Sequence, residues 1–99
     1  MLLIIGTVRL PPDKFEQARP AMERMIAASR AEPGCLAYSY ARDVLDPGLI
    51  RVSEAWRDRA ALDEHFKSVH IAAWRASWAR LGIGDRNLML YEAGEGAPA

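Results

Sequence analysis

The stretch LAYSYARDVLDPGLIRVSEAW, residues 36–56, decides the fold. Its two ends, 36–42 and 49–56, alternate apolar and polar side chains with the period of two that is typical of β-strands. Between them, 46–48 is an Asp-Pro-Gly turn. Two strands joined by such a turn predict an antiparallel β-hairpin.

Further elements flank this hairpin on both sides. Residues 2–10 form a strand whose first half is apolar on both faces, as in a central strand, and residues 87–93 form the last strand. A helix begins at Asp13, which has capping-box spacing with Glu16, and ends at the Pro-Gly pair 33–34. This helix therefore fills the first connection between strands.

The second connection holds a helix in two pieces. Asp58 can cap the first piece and Ser68 the second, which ends at Gly82. The order β-α-β-β-α-β with right-handed crossovers predicts an α+β, ferredoxin-like fold: an antiparallel sheet in order 4-1-3-2 with both helices on one face. Apolar side chains remain on the other face, so we expect a homodimer packed sheet to sheet.

Size and composition exclude several classes of protein. The 99 residues predict one domain over 1–93 and a disordered tail over 94–99. Thirteen basic and 13 acidic residues cancel, which argues against a partner that is a nucleic acid or an anionic membrane. A single Cys excludes an internal disulfide. The apolar run Met1–Ile5 is too short for a signal peptide or a membrane span, so a cytoplasmic protein is expected.

Three side chains are candidate catalytic groups. Glu54 shares one strand face with apolar neighbours, where an unpaired carboxylate has a raised pKa and can act as a general acid or base. The alternative is an ion pair with Arg9 or Arg51. His65 and His70 flank the helix break and can bind a ligand or move a proton, or else serve as capping or surface residues. A metal site built from Glu54, His65 and His70 is chemically possible, but the His-x4-His spacing is not a zincin motif, so no metal site is predicted.

Aromatic residues can line a pocket for a flat ligand. Trp74 and Trp78, four residues apart, are otherwise explained as core anchors of a helix. The predicted substrate-binding residues are Tyr40, Trp56, Phe66, Trp74 and Tyr91.

Three motifs in this order resemble the antibiotic biosynthesis monooxygenase family, with a pattern similar to its small quinol-monooxygenase-like members. They are Glu32-Pro33-Gly34-Cys35-Leu36-x-Tyr38, Glu54-x-Trp56 and Ala61-Leu62-x-x-His65-x-x-Ser68-x-His70. The resemblance spans about residues 2–93. It implies a dimeric α+β barrel that oxidises a quinol-like or phenolic aromatic with dioxygen and needs no metal, flavin or haem.

The family also contains other activities. Its haem-degrading members use an Asn in the first strand and a His far along the second helix, whereas this chain has Thr7 in the strand and no His near Arg75. Two alternatives stay open. One is a carbonyl isomerase acting on a small polar metabolite, with Glu54 and His65 as its acid–base pair. The other is a non-catalytic ligand-binding or dimerisation module, which a filled core without a cavity would favour.

Overall fold

The computed structural model describes all 99 residues. Four strands and three α-helices follow one another in the predicted order, and a 3₁₀ turn, Pro12–Lys14, precedes the first helix. The elements are β1 (Leu2–Arg9), α1 (Phe15–Arg30), β2 (Cys35–Arg42), β3 (Leu49–Trp56), α2 (Arg59–Phe66), α3 (Val69–Leu81) and β4 (Gly84–Glu92).

The strands form one antiparallel sheet in the order β2-β3-β1-β4, which confirms the predicted α+β, ferredoxin-like topology. β1 is central because it pairs with β3 on one side and with β4 on the other. Its register places Leu2 opposite Trp56 and Ile4 opposite Glu54. The β3 residues that share a face with Glu54 therefore lie beside the even-numbered residues of β1.

The helices cover that face of the sheet, which we call the covered face: the even-numbered residues of β1 and β3 and their partners on β2 and β4. Ile4, Val8, Val52 and Trp56 are buried there, and α1 and α3 contribute Met25 and Trp74 to the same core. Burial of large apolar side chains is the dominant favourable term in folding. The core therefore lies between the helices and this face.

The opposite face, which we call the open face, has no helix over it. Ile5 pairs with Met89, and Leu3 pairs with Tyr91. The exposed fractions of Ile5, Met89 and Tyr91 are 48%, 55% and 50%. Three large apolar side chains thus stand half-exposed on the central strand β1 and the adjacent edge strand β4.

Two local expectations are wrong. Asp13 makes no capping hydrogen bond, because the residues after Pro11 enter a 3₁₀ turn and α1 starts only at Phe15. The alternation expected over residues 36–42 fails at its start, because a register shift between Cys35 and Ala37 leaves Leu36 57% exposed while Tyr38 is buried.

The breaks around the second helix are confirmed. The Asp58 carboxylate accepts a hydrogen bond from the Ala61 amide at 2.9 Å, and Ser68 Oγ accepts one from the Ile71 amide. α3 ends at Gly82, whose φ of 72° is a left-handed conformation that suits glycine. α2 and α3 are consequently two helices that meet at Ser68.

Met1 lies beside Ala93, the residue that follows β4. The amide of Ala93 donates to the carbonyl of Met1, and the amino group of Met1 donates to the carbonyl of Ala93. Residues 93–99 contain no helix or strand. No helix is both long enough and apolar enough to cross a membrane.

Candidate active site

Glu54 lies in the middle of β3 on the covered face and is only 5% exposed. One of its oxygens accepts a hydrogen bond of 3.0 Å from the indole nitrogen of Trp56. Burial raises the pKa of Glu54, and the positive charges of Arg86 and Arg75 oppose that rise only in part. The carboxyl group is therefore easier to protonate than an exposed glutamate.

The ion-pair alternative for Glu54 is wrong. Arg9 binds Asp46 at 2.7 Å, and Arg51 binds Asp43 at 2.9 Å, both at the hairpin end of the sheet. Neither arginine contacts Glu54. The only hydrogen bond to this carboxylate thus comes from an uncharged group.

A second carboxylate, that of Glu32, lies in contact with an imidazole nitrogen of both histidines. His65 Nδ1 lies 3.1 Å from each Glu32 oxygen, and His70 Nε2 lies 2.6 Å from Glu32 Oε1. His65 is 1% exposed, and its burial lowers the pKa of the imidazole although Glu32 opposes this effect. We call Glu32, His65 and His70 the Glu32 cluster.

Local sequence explains why the cluster forms. Ser68 ends α2 and starts α3, so His65 falls in the last turn of one helix and His70 in the first turn of the next. Glu32 stands in the turn between α1 and β2. That turn lies so close to α2 that a side chain at Gly34 would collide with Ala61. A glycine at this position lets the carboxylate approach both imidazoles.

The structure brings the two candidate histidines together on Glu32 and not on the candidate acid Glu54. No hydrogen bond joins Glu54 to either imidazole. Trp56 lies between the two acidic sites: its ring centroid is 4.5 Å from that of His65, and its indole nitrogen donates to Glu54. The signal for Glu32 was its place in the Glu-Pro-Gly motif at the end of α1.

Three of the predicted substrate-binding aromatics are packed in the core near these acids. Tyr40 and Trp74 meet edge to face with ring centroids 6.0 Å apart, while Trp56 is fully buried. Phe66 lies 5.8 Å from the ring of His65 and is partly exposed. These four residues therefore surround the region between the sheet and the helices.

Tyr91 lies elsewhere, because its place opposite Leu3 puts it on the open face. Tyr38, which the sequence did not single out as a site residue, lies opposite Glu54 on β2. It is buried, and that burial raises the pKa of its phenol. Its position could have been read from alternation along β2, two residues before Tyr40.

Two clefts reach the neighbourhood of these residues. The outer cleft, about 490 Å³, lies between the α1–β2 turn and the α2–α3 break, and its lining includes Glu32, Arg57 and Lys67. The helix cleft, about 370 Å³, lies between α1 and α3 and includes Trp74. His70 borders both clefts, whereas Glu54, His65 and Trp56 line none of the cavities.

Chemically, the region offers two kinds of group. Glu54 is a carboxyl whose proton affinity is raised by burial among aromatic rings. The Glu32 cluster offers two imidazoles and a carboxylate, and two of its members, Glu32 and His70, line the outer cleft. The first kind suits proton exchange with an aromatic ligand, and the second suits binding of a polar or cationic ligand.

Curated relatives support one family. The chain is 37% identical over 70 residues to "Putative monooxygenase Rv0793" of Mycobacterium tuberculosis, which is 71% of this chain and 68% of that protein. It is 37% identical over 67 residues to an uncharacterised protein, sll1783, of Synechocystis; this match covers 68% of the chain but only 46% of that relative.

Solved structures agree with these matches. A structure described as a putative antibiotic biosynthesis monooxygenase from Deinococcus radiodurans superposes with a TM-score of 0.91 at 25% identity, over 100% of this chain and 98% of the other. The structure of Rv0793 gives 0.82 at 28% identity, over 98% of each chain. The family model for antibiotic biosynthesis monooxygenases matches residues 1–77, well over half of the sequence. The chain therefore belongs to the antibiotic biosynthesis monooxygenase family.

Proposed function

We propose that this protein is a cofactor-independent monooxygenase that oxidises a phenolic or quinol-like aromatic with dioxygen. The observation that carries the proposal is the environment of Glu54: a carboxyl with a raised pKa, buried among aromatic rings and hydrogen-bonded only by Trp56. A proton acceptor works best when its pKa lies near the working pH. Membership of a family whose relatives are named monooxygenases supplies the type of reaction.

The reaction uses the substrate as its own reductant. A phenol gives its proton to Glu54, and the resulting phenolate passes one electron to dioxygen. The phenoxyl radical and superoxide then combine at a ring carbon, and the peroxide formed takes the proton back from Glu54. The resulting hydroperoxide loses water to give a quinone. One oxygen atom of O₂ ends in the product and the other in water, so O₂ gains the four electrons that the substrate loses, and the two hydrogens that the substrate loses leave as water.

Entry to Glu54 runs through the helix cleft in this proposal. Trp74 lines that cleft and packs against Tyr40, which stacks on Tyr38 beside Glu54. A substrate ring that displaces Trp74 would therefore lie against tyrosine faces, where aromatic stacking is favourable. His70 at the rim of the cleft contacts the outer end of the substrate.

Trp56 and His65 lie in the core behind this pocket. Their tilted rings pack together with centroids 4.5 Å apart, and this packing keeps water away from the Glu54 carboxyl. Phe66 extends the aromatic packing towards solvent. Exclusion of water strengthens each electrostatic contact in the pocket and protects the radical pair from side reactions.

We also propose that the protein is a homodimer that buries the open face. Half-exposed Ile5, Met89 and Tyr91 form a contiguous apolar patch that a second copy of the sheet can cover. A twofold axis brings the same patch of each copy together, which is the commonest arrangement of soluble oligomers.

Oxygen uptake tests the function. Purified protein is supplied with a panel of hydroquinones and phenols, and uptake is compared with quinone formed; the expected ratio is one to one. Glu54→Gln keeps the side-chain shape but cannot accept the proton, so the rate should fall by about 10²-fold or more.

Glu64→Gln, an exposed glutamate of α2, is the matched control and should keep the parental rate. No uptake with any substrate, or equal rates for both variants, would contradict the proposal. Conversion of a carbonyl substrate without oxygen uptake would identify the isomerase alternative instead.

A further inference from the structure

We propose that the Glu32 cluster binds one divalent transition-metal ion that prefers nitrogen and oxygen ligands, of which Zn²⁺ is the simplest example. The proposed oxidation does not use this ion, so the site adds a capacity beyond it. The chain contains only two histidines. The structure directs a nitrogen of each, His65 Nδ1 and His70 Nε2, to the same carboxylate.

The spacing of the donor atoms suits one ion. Two ligand atoms that each lie about 2.1 Å from a metal are about 3.0 Å apart at a right angle and about 3.4 Å apart at the tetrahedral angle. His65 Nδ1 is 3.1 Å from both Glu32 oxygens, and one ligand atom from each of the three residues lies within 4.8 Å of the others. The contact of 2.6 Å between His70 Nε2 and Glu32 Oε1 needs only a small outward movement.

His70 supplies a further reason. Its Nε2 atom is buried and lies 2.6 Å from Glu32 Oε1, but this contact does not have the geometry of a hydrogen bond. A buried nitrogen that faces a carboxylate without a well-formed hydrogen bond can be satisfied by an ion between the two groups. A metal ion would take the lone pair of this nitrogen while it also binds the carboxylate.

The outer cleft gives the ion a path and an open position. Glu32 and His70 both line this cleft of about 490 Å³, whereas His65 is enclosed behind them. Three protein ligands from two imidazoles and one carboxylate leave room for water or an oxygen ligand on the cleft side, as in catalytic zinc sites. Imidazole and carboxylate together suit zinc and similar ions rather than Ca²⁺ or Mg²⁺.

The alternative explanation is that the contacts of Glu32 with the two histidines only hold the α1–β2 turn against the α2–α3 break. A purely structural contact of this kind would bind no ion. Direct metal binding therefore separates the two explanations, and its readout does not depend on monooxygenase activity.

The experiment titrates the untagged, chelator-treated protein with Zn²⁺ by calorimetry and with Co²⁺ by visible absorption. We expect one ion per chain and a higher melting temperature in its presence, because an ion that binds only the folded state stabilises it. His70→Gln should weaken binding at least about 10-fold, since loss of even an outer partner of a metal site costs that much. Glu64→Gln, which changes a glutamate on the same cleft, should bind as the parent does.

His70 is the preferred target because its side chain is partly exposed, and circular dichroism without metal checks that the variant folds. If it does not fold, Glu32→Gln gives the same comparison at the carboxylate. Absence of Zn²⁺ and Co²⁺ binding to the parent would overturn the proposal. So would equal affinities of the cluster variant and Glu64→Gln.

Discussion

The two faces of the sheet are built from alternate residues of the same strands, yet their side chains differ in burial. On β1, Ile4 is buried under the helices while its neighbour Ile5 is half-exposed. On β3, Glu54 and Trp56 lie inside, and Ser53 lies outside. The difference teaches that one strand can place a candidate catalytic residue on one face and a proposed dimer surface on the other. A slip of one residue would exchange them.

The largest expected effect is the loss of stability when a side chain is removed from the covered face. Trp56→Ala should lower the free energy of unfolding by about 3–5 kcal/mol, because it leaves a cavity where a fully buried indole was. Tyr91→Ala on the open face should cost less, and its cost should grow with protein concentration because it would arise from the partner copy. Chemical denaturation at two protein concentrations checks both. Equal, concentration-independent losses would contradict the distinction between the faces.

The second prediction charges the open face. Ile5→Glu puts an unpaired carboxylate in the centre of the patch, so the dimer should dissociate at least about 100-fold more readily, which corresponds to roughly 2.7 kcal/mol. Light scattering coupled to size exclusion measures the mass. Val69→Glu, an exposed change on the helical layer, is the control and should remain dimeric. A parent protein that is monomeric at micromolar concentration would refute the proposed dimer.

The third prediction concerns how the stability of the protein depends on pH through Glu54 on the covered face. Burial raises the pKa of Glu54 in the folded chain above its ordinary value near 4.5, although Arg75 and Arg86 oppose the shift and Glu32 adds to it. The contribution of Glu54 to stability is therefore complete below pH 4.5 and is lost as the pH rises through the folded value. Glu54→Gln cannot ionise, so its stability should fall less between pH 4 and neutrality.

Denaturation curves at a series of pH values should show that the stabilities of the parent and Glu54→Gln diverge as the pH rises. This difference should be smaller than the effects of Trp56→Ala and Ile5→Glu, because only one group titrates. Glu64→Gln again serves as the control, and it should follow the parent. Parallel curves for the parent and Glu54→Gln would mean that the carboxyl is not desolvated.

The smallest effect concerns the helix break that supports the covered face. Ser68→Ala removes the oxygen that accepts from the Ile71 amide, and loss of such a cap typically costs about 1 kcal/mol. Ser39→Ala, at an exposed position on β2, should be nearly neutral. Thermal unfolding compares the two variants. A loss of similar size at both positions would show that the cap is not the cause.

Local patterns predicted the sheet, and contacts between distant residues limited the prediction of the site. Alternation in 49–56 and the turn at 46–48 are enough to fix the hairpin, and Ser68 marks the helix break by its capping chemistry. Glu32 and His65 are 33 positions apart and meet only because two turns pack together. No periodicity along the chain reports such a contact.

The start of the first helix was mispredicted for a different reason. Capping-box spacing at Asp13 competes with the proline pair 11–12, and the prolines prevail by fixing the backbone of a 3₁₀ turn. Backbone restriction acts on each residue directly, whereas a side-chain cap adds only about 1 kcal/mol.

The central position of β1 has a consequence for synthesis. β1 is made before both of its neighbours and must wait for them, because β3 and β4 come later in the chain. About 80 residues separate β1 from the end of β4, which at typical translation rates corresponds to roughly 4–16 s. During that time the apolar segment Leu2–Ile5 is exposed on a growing chain. We therefore expect the nascent protein to depend on chaperone binding at Leu2–Ile5, and folding to finish only once Glu92 has left the ribosome.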